Sequence, residues 1–391
     1  MFELKTNGSP SRQRRALSGL LGSLDSPQQA LGFIGPNWYA SIMGTGIIAT
    51  AAARLPILKG ALHPFALAVW VLAAAMLVLV TIAVSVHWLR HREVAMGHAR
   101  DPVMAQFYGA PPMALMTVGT GTLLVGKSIL GLPAAVDADW VLWTLGTVTG
   151  LLAAVLIPYL LFTQHEVRPD GAFGGWLMPI VPPMVSAANG AFLIPHLAGA
   201  SARATLLYGC YAMFGMSLVA ALIIITLIWS RLAHHGSSGS VRVPTLWIVL
   251  GPLGQSITAA GLLASEAHAA VSGPVASAMS TMAVLYGVPV FGFALLWAAL
   301  ATALTVRALR RDLPFALTWW SFTFPVGTCV TGISGLAIHT DLPAFRWIAV
   351  LAYGALLGAW LTVAARTLRG TLSGQLLGRP LSAPQFAAAK G

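Results

Sequence analysis

The chain of 391 residues contains ten apolar segments joined by short connections. They cover residues 35–54, 63–88, 107–130, 139–163, 175–197, 203–230, 244–268, 276–305, 315–339 and 344–368. A helix needs about 20 apolar residues to cross the hydrocarbon core of a bilayer. The apolar residues run continuously, whereas the strands of a membrane barrel would alternate. With 57% hydrophobic and only 8% charged residues, the sequence predicts an all-α polytopic membrane protein with ten transmembrane helices.

The net charge of +11 is distributed unevenly between the two sides of the predicted bundle. One side carries 17 of the 22 Lys and Arg residues, and the other carries Arg54, Lys59, Lys127, Arg203 and Arg346. Basic residues accumulate on the cytoplasmic side of membrane proteins. We therefore expect both termini to be cytoplasmic, in an inner (plasma) membrane, and we expect no nucleic-acid partner. Residues 1–32 are predicted to form a flexible N-terminal tail, 33–370 one transmembrane domain, and 371–391 a cytoplasmic C-terminal tail.

An aromatic residue opens each odd-numbered segment, at intervals of 69 to 73 residues: Trp38, Phe107, Trp176, Trp247 and Trp320. Prolines and small residues follow in these segments, whereas the even-numbered segments contain few prolines. Aromatic residues are common at membrane interfaces, and prolines are common in membrane helices. Neither general tendency would place them preferentially in the odd-numbered segments. A unit of two helices that returns to the same side repeats about an axis along the membrane normal. The sequence therefore predicts five helical hairpins around a pseudo-fivefold axis, with the odd helices inside.

The odd-numbered segments are expected to line a central pore. Proline bends a helix and frees a backbone carbonyl, and freed backbone is tolerated at membrane depth where protein or a water-filled path satisfies it. Hydroxyl and amide groups there could replace part of the hydration of an anion, although Ser and Thr also bond back to their own helix. The candidate pore-lining residues are Met43, Gly44, Thr45, Gly46, Pro112, Gly119, Pro183, Asn189, Pro252, Ser256, Pro325 and Thr328.

The acidic residues bear on which ion could pass. All eleven lie outside the predicted helices or at their ends, and Asp139 and Glu266 come closest to being embedded. A cation pathway or a proton relay usually keeps a carboxylate inside the membrane. The sequence therefore argues against both and favours an anion.

Basic residues lie at the outer ends of the odd-numbered segments: Arg54, Lys127, His196, His268 and His339. We interpret them as a basic outer vestibule that concentrates anions. The alternative is a set of interfacial side chains whose charged ends reach water.

Two phenylalanines and two histidines are further candidates. Phe322 and Phe324 precede Pro325 and could block the path, although packing is the simpler role for either ring. His87 and His91 have the i, i+4 spacing of a metal pair, but no third ligand is evident. No nucleophile lies next to a base at membrane depth, so we expect no catalytic residues. We also expect no metal and no cofactor.

Three motifs resemble the tellurite-resistance/dicarboxylate transporter family, which includes malate permeases, sulfite efflux pumps, tellurite-resistance proteins and plant slow anion channels. The motifs are PNWY at 36–39 with MGTG at 43–46, FYGAPPM at 107–113, and WWSFTFP at 319–325. The resemblance covers nearly the whole chain. It implies five hairpins around a central pore, a homotrimer with one pore per subunit, and a phenylalanine gate. We assign this gate to Phe324, with Phe322 as the alternative.

The predicted function is the transport of small anions across a lipid bilayer, without enzymatic activity. The first motif is similar to the malate permease and sulfite pump branch, so we expect C4-dicarboxylates such as malate as substrates. Tellurite or sulfite efflux, or a passive channel of the chloride/nitrate type, are the alternatives. The sequence leaves open whether the path is a channel or a proton-coupled carrier.

Overall fold

The protein is predominantly helical in the part described by the structure, a computed structural model covering residues 31–237, 240–311 and 313–378, and no strand occurs there. Most of the predicted N-terminal tail, 1–32, and residues 379–391 of the C-terminal tail lie outside these ranges. The α-helices are α1 (Tyr39–Arg54), α2 (Lys59–Arg90), α3 (Arg92–Arg100), α4 (Ala110–Gly121), α5 (Lys127–Leu130), α6 (Leu132–Thr163), α7 (Pro182–Gly190), α8 (Ala200–His235), α9 (Leu250–Glu266), α10 (Gly273–Leu309), α11 (Phe324–Thr340) and α12 (Pro343–Leu372).

Eight helical segments of the described chain are long and apolar enough to cross a membrane. The predicted segments 35–54 and 175–197 do not reach this length as single helices, because α1 has 16 residues and α7 has 9. The membrane-spanning class is thus established for the chain, while the full set of ten transmembrane helices stays a prediction.

The five aromatic residues of the predicted repeat occupy equivalent places in the structure. Each lies in a 3₁₀ segment directly or shortly before a buried α-helix; these segments are Pro36–Trp38, Met104–Gly109, Gly174–Leu177, Ser240–Val249 and Leu317–Phe322. A 3₁₀ turn is a frequent start of an α-helix. The regular spacing in the sequence therefore marks a recurring local structure, a 3₁₀ entry followed by a helix.

The prolines of the odd-numbered segments begin helices instead of bending them. Pro183 and Pro325 are the second residues of α7 and α11, and Pro112 and Pro252 are the third residues of α4 and α9. Proline fits the first turn because the N–H groups there have no partner within the helix. The expected mid-helix bend is wrong at these four positions, since the 3₁₀ segments end where the prolines start the α-helices.

The helices fall into a long exposed set and a short buried set. Helices α2, α6, α8, α10 and α12 have 30 to 37 residues, and little of their most apolar windows, 22 to 28%, is buried inside the protein. Almost every residue of α1, α4, α7 and α9 is buried, and most of α11 is. A helix that is apolar all round requires neighbours or lipid on every side. The short helices have protein neighbours, and the long ones present apolar surface outward.

The short helices contact one another in a closed cycle. Helix α1 packs against α4, α4 against α7, α7 against α9, α9 against α11, and α11 against α1. Each long helix packs against the short helix before it and against the next one in the cycle, so that α2, for example, contacts α1 and α4. This order of contacts puts the five short helices together at the interior of the described structure.

Glycines allow the close approach of the short helices. A Cβ atom added at Gly254 of α9 would lie 2.4 Å from the backbone N of Cys329 in α11. Additions at Gly46 and Gly327 would meet Thr117 and Ile47 at 2.7 and 2.3 Å. Association of helices in lipid depends on such close packing at small residues.

Candidate functional site

All twelve predicted pore-lining residues are buried on the short helices. Gly44 of α1 faces the start of α11, where an added Cβ would lie 2.3 Å from Thr323 Oγ1 and 2.6 Å from Trp320 Cε3. Gly119 of α4 faces Asp139 of α6, with Oδ1 2.5 Å from an added Cβ. These glycines therefore serve as points of close contact between helices.

The polar members of the set make hydrogen bonds within the protein. Thr45 Oγ1 accepts a hydrogen bond from Trp360 Nε1 at 3.2 Å, which ties α1 to α12. Asn189 Nδ2 donates to the carbonyl oxygen of Met116 at 3.2 Å, between α7 and α4. Ser256 donates to the carbonyl oxygen of Leu253 at 2.8 Å, within its own helix. The hydroxyl of Ser256 therefore bonds back to its own helix, which is the alternative to an anion-binding role.

Thr328 and Thr120 differ in how their hydroxyls are used. Thr328 Oγ1 donates to the carbonyl oxygen of Pro325 in its own helix at 2.7 Å, and the carbonyl oxygen of Gly251 in α9 lies 3.2 Å away. Thr120 Oγ1 is buried and has no hydrogen-bond partner among the described residues. Thr120 is therefore a buried inner-helix hydroxyl without a partner in the described chain, and the candidate list did not include it.

The two candidate gate residues have different surroundings. Phe322 is half-buried and makes edge-to-face contacts with Trp247 and Trp319, at ring distances of 5.5 and 5.6 Å. Phe324 is 3% exposed, begins α11 directly before Pro325, and makes no ring–ring contact among the described residues. Phe322 is held in an aromatic cluster, whereas the ring of Phe324 lacks such partners.

Gly335 of α11 is buried, yet a Cβ added there would meet no heavy atom of the described residues within 4 Å. Buried glycines elsewhere on the short helices, such as Gly44 and Gly254, would meet neighbours at less than 3 Å. Protein interiors leave few voids, so free space beside a buried inner-helix residue is notable. No sequence pattern points to Gly335, because only the packing distinguishes it from other glycines.

The predicted vestibule residues lie at helix ends, but they do not form one cluster. Lys127, His196 and His268 are exposed. His339 is half-buried, and its Nε2 lies 2.8 Å from the carbonyl oxygen of Gly261, so it joins α11 to α9. Arg54 is half-buried, and its guanidinium carbon lies 5.2 Å from the ring centre of Phe192.

A cavity of about 480 Å³ opens beside Arg54, between the ends of α1, α2, α11 and α12. Its charged lining consists of Arg54, Lys59, Arg346 and Asp341. Arg346 and Asp341 form an ion pair, which leaves two further cations in the lining. The cavity is thus suited electrostatically to a small anion. Lys59 and Arg346 were placed on this side of the membrane by sequence, but their convergence on Arg54 depends on the fold.

Asp139 is fully buried in α6, and neither of its carboxylate oxygens has a hydrogen-bond partner among the described residues. The expectation that every acid lies outside the helices or at their ends is therefore wrong for this residue. Helix α6 begins at Leu132, with Pro133 in its first turn, seven residues before the predicted segment starts. Asp139 consequently lies two turns inside the helix. Buried ionisable groups in membrane helices are often functional.

Three histidines meet at the junction of α2 and α3. The ring of His87 lies 5.7 Å from that of His91 and 5.5 Å from that of His98, and His87 Nδ1 lies 2.8 Å from the carbonyl oxygen of Leu31. No group of His, Cys, Asp and Glu in the described chain has an arrangement that could hold a metal ion. Burial lowers the pKa of His98, His87 lowers it further, and Asp101 opposes the shift.

Long lipid-compatible helices around a closed cycle of buried helices define a polytopic α-helical membrane protein. The family described as voltage-dependent anion channel (SLAC1) matches residues 34–368, nearly the whole helical region. The chain belongs to this family. The resemblance drawn from the three motifs is confirmed, and with it the class of membrane proteins that transport anions rather than catalyse reactions.

Named relatives extend over most of the chain. A sulfite efflux pump of Trichophyton rubrum is 26% identical over 319 residues, which cover 79% of this chain and 83% of the relative. A sulfite efflux pump of Arthroderma otae is 25% identical over 342 residues, or 85% and 89% of the two chains. An uncharacterized transporter of Methanocaldococcus jannaschii is 26% identical over 303 residues, or 75% and 81%.

Proposed function

We propose that this protein carries small anions across a membrane through the interior of the α1–α4–α7–α9–α11 cycle. The observation that carries the proposal is the closed order of contacts among these five helices. In this arrangement the chain forms five hairpins around a pseudo-fivefold axis, with ten helices that cross the membrane. The short helices α1 and α7 complete their crossings with the adjoining 3₁₀ segments Pro36–Trp38, Gly174–Leu177 and Ala191–His196. The free space at Gly335 supports a path along α11.

Phe324 is the gate of this path in our proposal. It is buried at the first residue of α11, where the chain changes from a 3₁₀ segment to an α-helix. Phe322, the alternative, packs between Trp247 and Trp319, so its movement would break two aromatic contacts. Aromatic pairs contribute about 0.5–1.5 kcal/mol each. The absence of such ring contacts at Phe324 among the described residues favours it over Phe322.

Sulfite is the substrate we propose first. The fungal relatives that span most of the chain are named sulfite efflux pumps. C4-dicarboxylates such as malate are the second candidate, supported by the similarity of the PNWY and MGTG motifs to the malate permease branch. Sulfite and the carboxylates of malate are both oxyanions, so guanidinium, hydroxyl and amide donors would suit either.

The orientation proposed from the basic residues puts Arg54 and the cavity beside it on the outer side, with both termini cytoplasmic. The vestibule then consists of Arg54, Lys59 and Arg346 around the cavity, with Lys127, His196, His268 and His339 at the neighbouring helix ends. Positive potential at this end raises the local concentration of anions. A homotrimer with one pathway in each subunit is the assembly implied by the family resemblance.

Flux measurements on the full chain in lipid vesicles test the proposal. Labelled sulfite, malate and chloride are offered separately, with and without a pH gradient, and protein-free vesicles serve as the control. We expect saturable flux of sulfite above the control. Dependence on the gradient would indicate a proton-coupled carrier, and linear flux without the gradient would indicate a channel. If no anion moved faster than in protein-free vesicles, the proposal would be wrong.

A further inference from the structure

The side chain of Arg54 crosses the outer end of the helix cycle. Arg54 is the last residue of α1, whose neighbours in the cycle are α4 and α11. Its guanidinium nevertheless stacks over Phe192, in the turn that follows α7, and interacts electrostatically with Glu266, the last residue of α9. Helices α7 and α9 are the two members of the cycle that are not neighbours of α1. The side chain therefore reaches from one side of the cycle to the other.

The contacts of Arg54 leave hydrogen-bonding capacity unused. Its Nε is buried and has no hydrogen-bond partner among the described residues. Stacking on Phe192 holds the planar group by a cation–π contact without using its N–H donors. The neighbouring cavity holds Lys59 and the Arg346–Asp341 pair. A fork of N–H donors beside a second cation matches the geometry and charge of a small oxyanion.

Glu266 is the carboxylate whose charge acts on Arg54, and the two groups do not form a direct ion pair in the described chain. It is half-buried, and the attraction between the two groups is mutual. An anion that enters from the cavity brings a second negative charge to the same guanidinium. Since like charges that share one cation repel each other, the anion and Glu266 compete.

We propose that Arg54 binds the transported oxyanion at the outer end of the pathway, beside Lys59, and that Glu266 competes with this anion for the guanidinium. The assignment rests on the proposed anion pathway and adds a residue that selects planar or pyramidal oxyanions. With Glu266 as its partner, Arg54 crosses the cycle and obstructs the outer end. With an anion as its partner, the side chain is released from α9.

Binding of sulfite to the purified full chain, measured by calorimetry in detergent, tests this assignment without requiring transport. We compare wild type with Arg54→Gln, Arg54→Lys and Glu266→Gln. Arg168→Gln is the matched control, because Arg168 is an exposed cation that has a carboxylate partner, Asp170, and does not line this cavity. Thermal unfolding of each variant checks that it is folded.

Arg54→Gln should weaken binding by at least about tenfold, the effect of losing a charged hydrogen-bond donor. Arg54→Lys keeps the positive charge but loses the forked N–H donors and the stacking of the guanidinium on Phe192, so sulfite binding should weaken several-fold. If Arg54→Gln does not fold, the affinity of Arg54→Lys tests the assignment. Glu266→Gln should tighten binding roughly three- to tenfold, and Arg168→Gln should change it less than about twofold.

Equal affinity of the Arg54 variants and wild type, or weaker binding by Glu266→Gln, would overturn the assignment. Failure of the proposed function looks different, because wild-type vesicles would then show no flux whatever the binding data are. Flux in wild type together with unchanged sulfite affinity in Arg54→Lys and Arg54→Gln would refute the role of Arg54 alone.

Discussion

Replacement of Gly44 by alanine tests the contact between α1 and the start of α11. The new Cβ would lie 2.3 Å from Thr323 Oγ1 and 2.6 Å from Trp320 Cε3, whereas ordinary contacts begin at about 3.4 Å. Neither neighbour can withdraw easily. Trp320 is 3% exposed and donates from Nε1 to Thr367 Oγ1 at 3.0 Å, and buried Thr323 donates to the Trp320 carbonyl oxygen at 2.7 Å. A shift of roughly 1 Å between two packed helices is required.

The cost of this shift can be set against the gain in helix propensity. Overpacking of a well-packed interior costs about 1–3 kcal/mol, and alanine gains about 0.5–1 kcal/mol over glycine inside a helix. Gly44→Ala should therefore lower the free energy of unfolding by up to about 2.5 kcal/mol. Because Thr323 directly precedes Phe324, the displacement also moves the first turn of α11, and we expect increased anion flux.

Gly358→Ala is the matched control, since Gly358 is an exposed residue within α12 where an added Cβ meets no described atom within 4 Å. It should stabilise the protein by about 0.5–1 kcal/mol. Unfolding in detergent, followed by tryptophan fluorescence, gives the sign of each change, and vesicle flux gives the functional effect. The packing argument fails if Gly44→Ala is as stable as Gly358→Ala and has wild-type flux.

Three further predictions follow from the site. Phe324→Ala should raise anion flux several-fold by removing the gate, whereas Phe322→Ala should chiefly lower the free energy of unfolding, by about 2–3 kcal/mol, through loss of its aromatic contacts. Asp139→Asn should raise the free energy of unfolding by about 1 kcal/mol or more, since a buried carboxylate without hydrogen-bond partners destabilises the folded state. Burial lowers the pKa of His98, so the folded state loses stability as pH falls below about 6.5, where the unfolded histidine binds a proton. His98→Gln should reduce this loss.

Each of these expectations has its own contradicting result. Equal flux in Phe324→Ala and wild type would remove Phe324 as the gate. Asp137→Asn, at an exposed position two residues from Asp139, controls for the loss of a carboxylate, and a destabilised Asp139→Asn protein would mean that the buried group has a partner. Thermal midpoints measured between pH 7.5 and 5.5 would contradict the His98 argument if His98→Gln followed the same curve as wild type.

The repeat and the helical class could be predicted from the sequence because both depend on local composition. The recurrence of Trp38, Phe107, Trp176, Trp247 and Trp320 marks the 3₁₀ entries of the five short helices. The effect of the prolines was predicted wrongly, since a proline near the start of a helix and one in its middle look alike in an apolar run. Only the point at which the α-helix begins separates the two cases.

The details of the site depend on contacts between residues far apart in the chain. The apolar pattern predicts Asp139 at a helix end, but α6 begins seven residues earlier, at Leu132. The meeting of Arg54 with Phe192 and Glu266 links three helix ends that no sequence spacing joins. Gly335 differs from the other inner glycines only in the empty space beside it. These properties arise from packing, which sequence patterns do not encode locally.

Chemical blocking of Gly335→Cys tests most directly whether anions pass through the interior of the helix cycle. The variant is made with Cys210 and Cys329 replaced by serine, reconstituted in vesicles, and assayed for sulfite flux before and after reaction with a small anionic thiol reagent. Gly358→Cys in the same background is the control on the outer surface. We predict that the reagent abolishes flux in Gly335→Cys and leaves Gly358→Cys unchanged. Full flux in a Gly335→Cys protein shown by mass spectrometry to be labelled would contradict a pathway inside the cycle.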